Sequence, residues 1–129
     1  MLGIDTNLIV RYLTGDHVQQ AAKARALIDR HDVFVATTVF LEAEWVLRSA
    51  YGFAPERVAS ALGTFAALPR VTLEHPALVA TALGWMEQGM DFADALHLAA
   101  CAGCEAFVSF DRQFAKMANA LGGVNVRSP

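Results

Sequence analysis

A chain of 129 residues, 55% hydrophobic and 18% charged, has the size and apolar content for one domain over 1–129 with a real hydrophobic core. Its longest apolar runs, such as Ala77–Met86, fall well short of the roughly 18 residues of a membrane span. Met1–Asp5 lacks the basic start of a signal peptide, so a cytoplasmic protein without a membrane partner is expected. The formal net charge of −3 does not decide the question of nucleic acid. If four of the 13 acids form a cation site, the remainder balances the 10 Lys and Arg to within one charge, and a bound cation attracts phosphate.

Leu2-Gly3-Ile4 reads as a short buried strand ending at Asp5. Thr6-Asn7 open a helix with Leu8, Ile9, Tyr12 and Leu13 on one face, broken at Thr14-Gly15-Asp16. A second helix is expected from about His17 to Arg30, with Val18, Ala21, Ala22, Arg25 and Ile28 at helical spacing. Val33–Ala36 is the second strand, and Thr37-Thr38 are read as the cap of a helix over Val39–Ala50. The stripe of that helix is Val39, Ala43, Val46, Leu47 and Ala50, with Glu42 at its edge and Glu44 facing solvent.

After Gly52, Pro55-Glu56 start a helix to about Ala67, and Val71–Leu73 gives a third strand. His75-Pro76 open a helix carrying Leu78, Val79, Ala82, Leu83 and Met86, which Gly89 stops. The next helix spans Asp91–Ala102, starting near Ala93, with Ala95, Leu98, Ala99 and Ala102 buried. Ala106–Phe110 is the clearest strand and ends at Asp111. A helix from Arg112 to about Ala120, a turn at Gly122-Gly123 and a strand over Val124–Val126 complete the chain. Cys101 and Cys104 fall at a helix C-terminus, where the dipole opposes thiolate formation, so they read as reduced structural thiols.

Strands alternating with helices imply an α/β fold: a three-layer α/β/α arrangement around a mostly parallel sheet of about five strands. Ligands of such sheets bind outside the carboxyl ends of the strands. Asp5 and Asp111 end strands, Glu42 lies one turn past a strand end, and Asp94 lies on the first turn of a helix. Capping of free backbone N–H groups is the competing role of an Asp at a helix start. Crowded carboxylates call for a cation, and hard oxygen ligands favour magnesium or manganese. Ions held in this way act on phosphates, so phosphodiester hydrolysis is the reaction expected.

The pieces Leu2–Asn7, Glu42 with Trp45-Val46-Leu47, Asp91–Ala99 and Ser109–Phe114 together resemble a PIN-domain ribonuclease, in particular a VapC-type toxin of a bacterial toxin–antitoxin pair. The resemblance covers essentially the whole chain. It implies that Asp5, Glu42, Asp94 and Asp111 are catalytic and bind Mg2+ or Mn2+, with Asp91 a frequent additional acid. Asn7 and Ser109 are then expected to orient Asp5 and Asp111, while Arg11, Arg48 and Arg112 are candidates for RNA phosphate contacts, with ordinary salt bridges as the competing role. The implied substrate is a tRNA or another structured RNA. The implied partners are a VapB-type antitoxin and a second copy in a homodimer, without direct DNA binding by this chain alone. A PIN-fold protein with a non-toxin RNA-processing or purely binding role is the alternative.

Overall fold

The computed structural model describes residues 1–129, which divide into two compact units, Met1–Pro76 and Ala77–Pro129. The first unit contains β1 (Leu2–Gly3), α1 (Thr6–Thr14), α2 (Val18–Arg30), β2 (Val33–Val35), α3 (Thr37–Ser49), α4 (Pro55–Ala66) and β3 (Val71–Leu73). The second contains α5 (Pro76–Glu87, entered at its first residue from the preceding unit), α6 (Phe92–Ala100), β4 (Phe107–Val108), α7 (Arg112–Leu121) and β5 (Val126–Arg127). The chain is α/β and every strand pair is parallel. The five strands form a three-stranded set in the order β1-β2-β3 and a two-stranded set, β4-β5.

In the first unit, β2 is flanked on both sides, with Val33 opposite Leu2 and Val71. Val33 and Val35 are fully buried, and α1, α2, α3 and α4 add Ile9, Ile28, Phe40, Leu47, Leu62 and Phe65 to the core. Leu2 is exposed, contrary to the expected buried start, and Ile4 carries the burial while its N–H extends the ladder to the Phe34 carbonyl. On α2 the buried side chains are Ala21, Ala24 and Ile28, so Val18, Ala22 and Arg25 face outward. His17 precedes this helix as its cap, its Nδ1 accepting the Gln20 N–H.

The α3 helix corrects the sequence reading in two ways. It begins at Thr37 with no cap from its own threonines. Instead, the Glu74 carboxylate beside β3 accepts the Thr37 N–H at 2.9 Å, which holds the Glu74 pKa below its ordinary value. Its buried face is Phe40, Ala43, Glu44 and Leu47. Glu44, expected in solvent, is only 1% exposed. Arg48, one turn on, meets it with two nitrogens at 2.8 and 3.4 Å.

In the second unit, α5 buries Val79, Ala82, Leu83 and Met86, and α6 buries Phe92, Ala95, Leu96, Leu98 and Ala99. The α6 helix ends at Ala100, so Ala102 lies beyond it and is exposed. Cys101 and Cys104 are unbonded, and burial followed by the neighbouring Cys104 pushes the Cys101 thiol up, as suits an unreactive thiol. The expected five-residue strand contracts to β4, because Ser109 and Asp111 turn the chain into α7. The last strand runs Val126–Arg127, further along than expected; the Asn119 side-chain amide brackets Val126 with two 2.9 Å bonds and sets that position.

Between α7 and β5, a Cβ at Gly123 would lie 2.8 Å from a ring carbon of Trp85, closer than carbon atoms approach. Gly123→Ala is therefore expected to destabilise the protein by about 1–3 kcal/mol, the usual cost of overpacking. A thermal melt superimposable on wild type would show that the Trp85 ring moves aside freely.

Candidate active site

Three of the five predicted acids stand at the starts of helices. Asp5 precedes α1 and accepts the Leu8 N–H at 3.2 Å. Asp111 precedes α7 and accepts the Phe114 N–H at 2.9 Å. Asp91 precedes α6 and accepts the Asp94 N–H at 3.1 Å. These three are N-caps, and each such bond satisfies a backbone donor that the helix itself leaves free. Local structure thus accounts for their presence without any ligand.

Asp94 and Glu42 are different, because neither caps a helix. Asp94 is on the first turn of α6, half-buried, with the capping work already done by Asp91. Burial pushes its carboxyl above the ordinary value, with Asp91 the larger like charge, His97 opposing and Asp111 adding further repulsion. Asp91, Asp94 and Asp111 therefore share one electrostatic neighbourhood in the second unit. Burial and the two like charges outweigh the attraction of His97.

Glu42 is exposed on α3 and its Oε1 accepts a hydrogen bond from the buried Thr6 hydroxyl. Thr6 is the residue that sequence reasoning missed. Its place one residue after the Asp5 cap was the available signal. Asn7, expected to orient Asp5, is exposed and makes no hydrogen bond with it. The Ser109 Oγ does contact its expected partner, accepting the Asp111 N–H at 3.0 Å. No group of three or more His, Cys, Asp or Glu side chains stands close enough to hold a metal ion. Local caps orient Asp5, Asp91 and Asp111, and the Thr6 bond orients Glu42, each within its own unit.

The arginines separate clearly. Arg11 is committed to Asp16 at 3.0 Å, to Gln20 at 2.8 Å and to the Tyr51 hydroxyl at 2.9 Å. The same network, led by the Tyr51 hydroxyl, holds Asp16 below the usual carboxylate range. Arg48 is committed to Glu44. In both, the salt bridge, the competing role, is what the structure shows. Arg112 is exposed at the start of α7 and makes no hydrogen bond or ion pair within the chain.

The PIN domain family model matches residues 3–120, and the chain belongs to that family. Among solved structures, VapC20 of Mycobacterium tuberculosis, described as a Sarcin-Ricin loop cleaving toxin, is similar at 21% sequence identity. That alignment covers 98% of this chain and 99% of the other, with a TM-score of 0.46. Curated proteins give no significant match.

Proposed function

We propose that residues 1–129 act as one PIN domain, a metal-dependent endoribonuclease and the toxin of a VapBC-type pair, hydrolysing phosphodiester bonds in a tRNA or another structured RNA. The observation that carries this reading is the family match across residues 3–120. Within it, Asp94 is a half-buried acid that no helix cap explains. The acids assigned to Mg2+ or Mn2+ are Asp94 and Asp111, together with Asp5 and Glu42 of the first unit. An all-carboxylate donor set suits these hard cations, and repulsion around Asp94 is of the kind a cation relieves.

When bound, the ion supplies water activation and charge neutralisation at the phosphodiester. The protein's own residues do the positioning. Asp91 fixes the first turn of α6 and with it the Asp94 backbone; Ser109 fixes the approach to Asp111 through the Asp111 N–H; Thr6 holds one Glu42 oxygen. Arg112 remains the arginine suited to an RNA phosphate, because Arg11 and Arg48 are already engaged. With a formal net charge of −3, sequence-blind electrostatic binding is weak, which favours a substrate recognised by its shape.

A VapB-type antitoxin and a homodimer are the proposed partners, and the exposed Trp45 offers apolar surface for one of them. No helix is long and apolar enough to cross a membrane, and we assign the protein to the cytoplasm, without direct DNA binding by this chain alone. The test is hydrolysis by the purified protein. RNA fragments are expected with magnesium or manganese and none after chelation; cleavage that persists undiminished in chelator would refute metal dependence.

A further inference from the structure

Phe110 is the most exposed large apolar side chain of the protein, at 88%. It stands between Ser109 and Asp111, where β4 gives way to α7. Inward and outward positions alternate along this segment. Phe107 packs edge-on against Phe114 at 5.6 Å, whereas Val108 is 53% exposed and Phe110 nearly free. Phe110 makes no ring contact within the chain. An aromatic ring left in water contributes no burial free energy to the fold.

Its surroundings point to what covers it. Val108 pairs in register with Arg127 of β5, and Phe110 follows two residues later at the bend that leads into α7. Arg112 follows two residues after Phe110, and Lys116 lies one helical turn beyond Arg112 on α7. Arg112, Lys116 and Arg127 are exposed and make no hydrogen bond or ion pair within the chain. An apolar partner helix would leave three unneutralised cations at its rim. A nucleotide meets both demands, with a flat base for the ring and phosphate for the cations.

We infer that Phe110 is a stacking platform that seats one unpaired base of the RNA beside Asp111, with Arg112, Lys116 and Arg127 holding the adjoining phosphates. The inference rests on the nuclease reading and adds to it a positioning residue for the substrate. Stacking accepts any base, so Phe110 sets where the strand lies and leaves sequence choice to other contacts.

The experiment uses the full-length protein and a short single-stranded RNA carrying aminopurine, whose fluorescence falls when the base stacks. Binding is measured in chelator, and hydrolysis with magnesium. Phe110→Ala is expected to abolish the quenching, to weaken binding by about five- to 150-fold, the range that alanine substitution of a stacking ring produces, and to raise KM with kcat little changed. Phe110→Trp should restore binding and quenching; Phe110→Leu, apolar without a π face, should not restore quenching. Because the ring touches little of the protein, all three variants should melt with wild type.

If Phe110→Ala binds, quenches and cleaves like wild type, the stacking role is wrong and the nuclease reading stands. If wild type neither binds nor cleaves RNA, both fall together. If Phe110→Ala changes the sedimenting mass but not RNA binding, the ring belongs to a protein interface and the inference is overturned.

Discussion

Asp94→Asn is expected to lower RNA hydrolysis by about a hundred- to thousand-fold in kcat, the usual cost of losing one preorganised transition-state contact. The fold should survive, because the cap of α6 is Asp91 and the buried face of that helix is Phe92, Ala95, Leu96, Leu98 and Ala99. Metal-free protein should show the opposite sign in stability. Asp94 is raised above 3.8 in the folded state, so its charge opposes folding at neutral pH. That penalty fades as pH falls through the folded pKa towards 3.8, since the native state binds the proton more tightly than the unfolded chain. Metal-free Asp94→Asn should therefore melt above wild type at neutral pH, and the difference should vanish in acid. Added manganese should raise the wild-type melting temperature and leave the variant nearly unmoved. Equal manganese binding by both, in titration calorimetry, would remove Asp94 from the metal site.

The largest effect on stability is expected from Arg48→Ala. Glu44 is 1% exposed, while the Arg48 side chain is 35% exposed. Breaking a buried ion pair by removing one partner costs about 3–5 kcal/mol, because the remaining charge is stranded without water. The partial exposure of Arg48 places this case at the lower end, about 3 kcal/mol, or a fall of roughly 10 °C in Tm for a domain of this size. Glu44→Met removes the stranded charge instead and should be far milder, because well-packed apolar replacements of buried ions are often neutral. If Arg48→Ala melts within a degree of wild type, the Glu44 carboxylate has another route to water or to a cation.

Glu44 also shows where the sequence was hard to read. On α3, a helical stripe can be drawn through Val39, Ala43, Val46, Leu47 and Ala50, or through Phe40, Ala43, Glu44 and Leu47. The first is all apolar and was the natural choice. The second is the one that packs, and it becomes acceptable only because Arg48 is one turn away to neutralise the buried acid. Pattern alone does not price that compensation. Where sequence signals were strong chemical punctuation, they held: Pro55 begins α4, Gly89 follows α5 with φ +105°, and Val71–Leu73 is β3. The apolar alternation runs on through Phe110, yet β4 ends at Val108, because the Ser109 hydroxyl accepts the Asp111 N–H and turns the chain.

For the candidate site, residue types were legible and individual duties were not. An Asp at a strand end is also an Asp at a helix start, and Asp5, Asp91 and Asp111 are all used as caps. The sequence named Asp91 and Asp94 together without saying which one caps α6. Only the hydrogen bond from the Asp94 N–H to Asp91 separates them. Arg11 and Arg48 were read from their place beside acid-bearing elements, but their partners Asp16, Tyr51 and Glu44 are tertiary or helical neighbours that proximity in sequence does not rank.

The central claim is that this chain cuts RNA in the cell through its carboxylates. It is tested most directly by sequencing RNA 5′ ends after induction of wild type or Asp94→Asn in a bacterium lacking the antitoxin. Asp94→Asn is the better control than Asp5→Ala or Asp111→Ala, since those acids cap α1 and α7 and alanine there costs about 1 kcal/mol of stability. Growth arrest by wild type, with new 5′ ends at one or a few positions of a structured RNA and none in the variant, is the predicted result. Equal arrest by both proteins without new RNA ends would contradict the nuclease mechanism and leave the PIN fold in place.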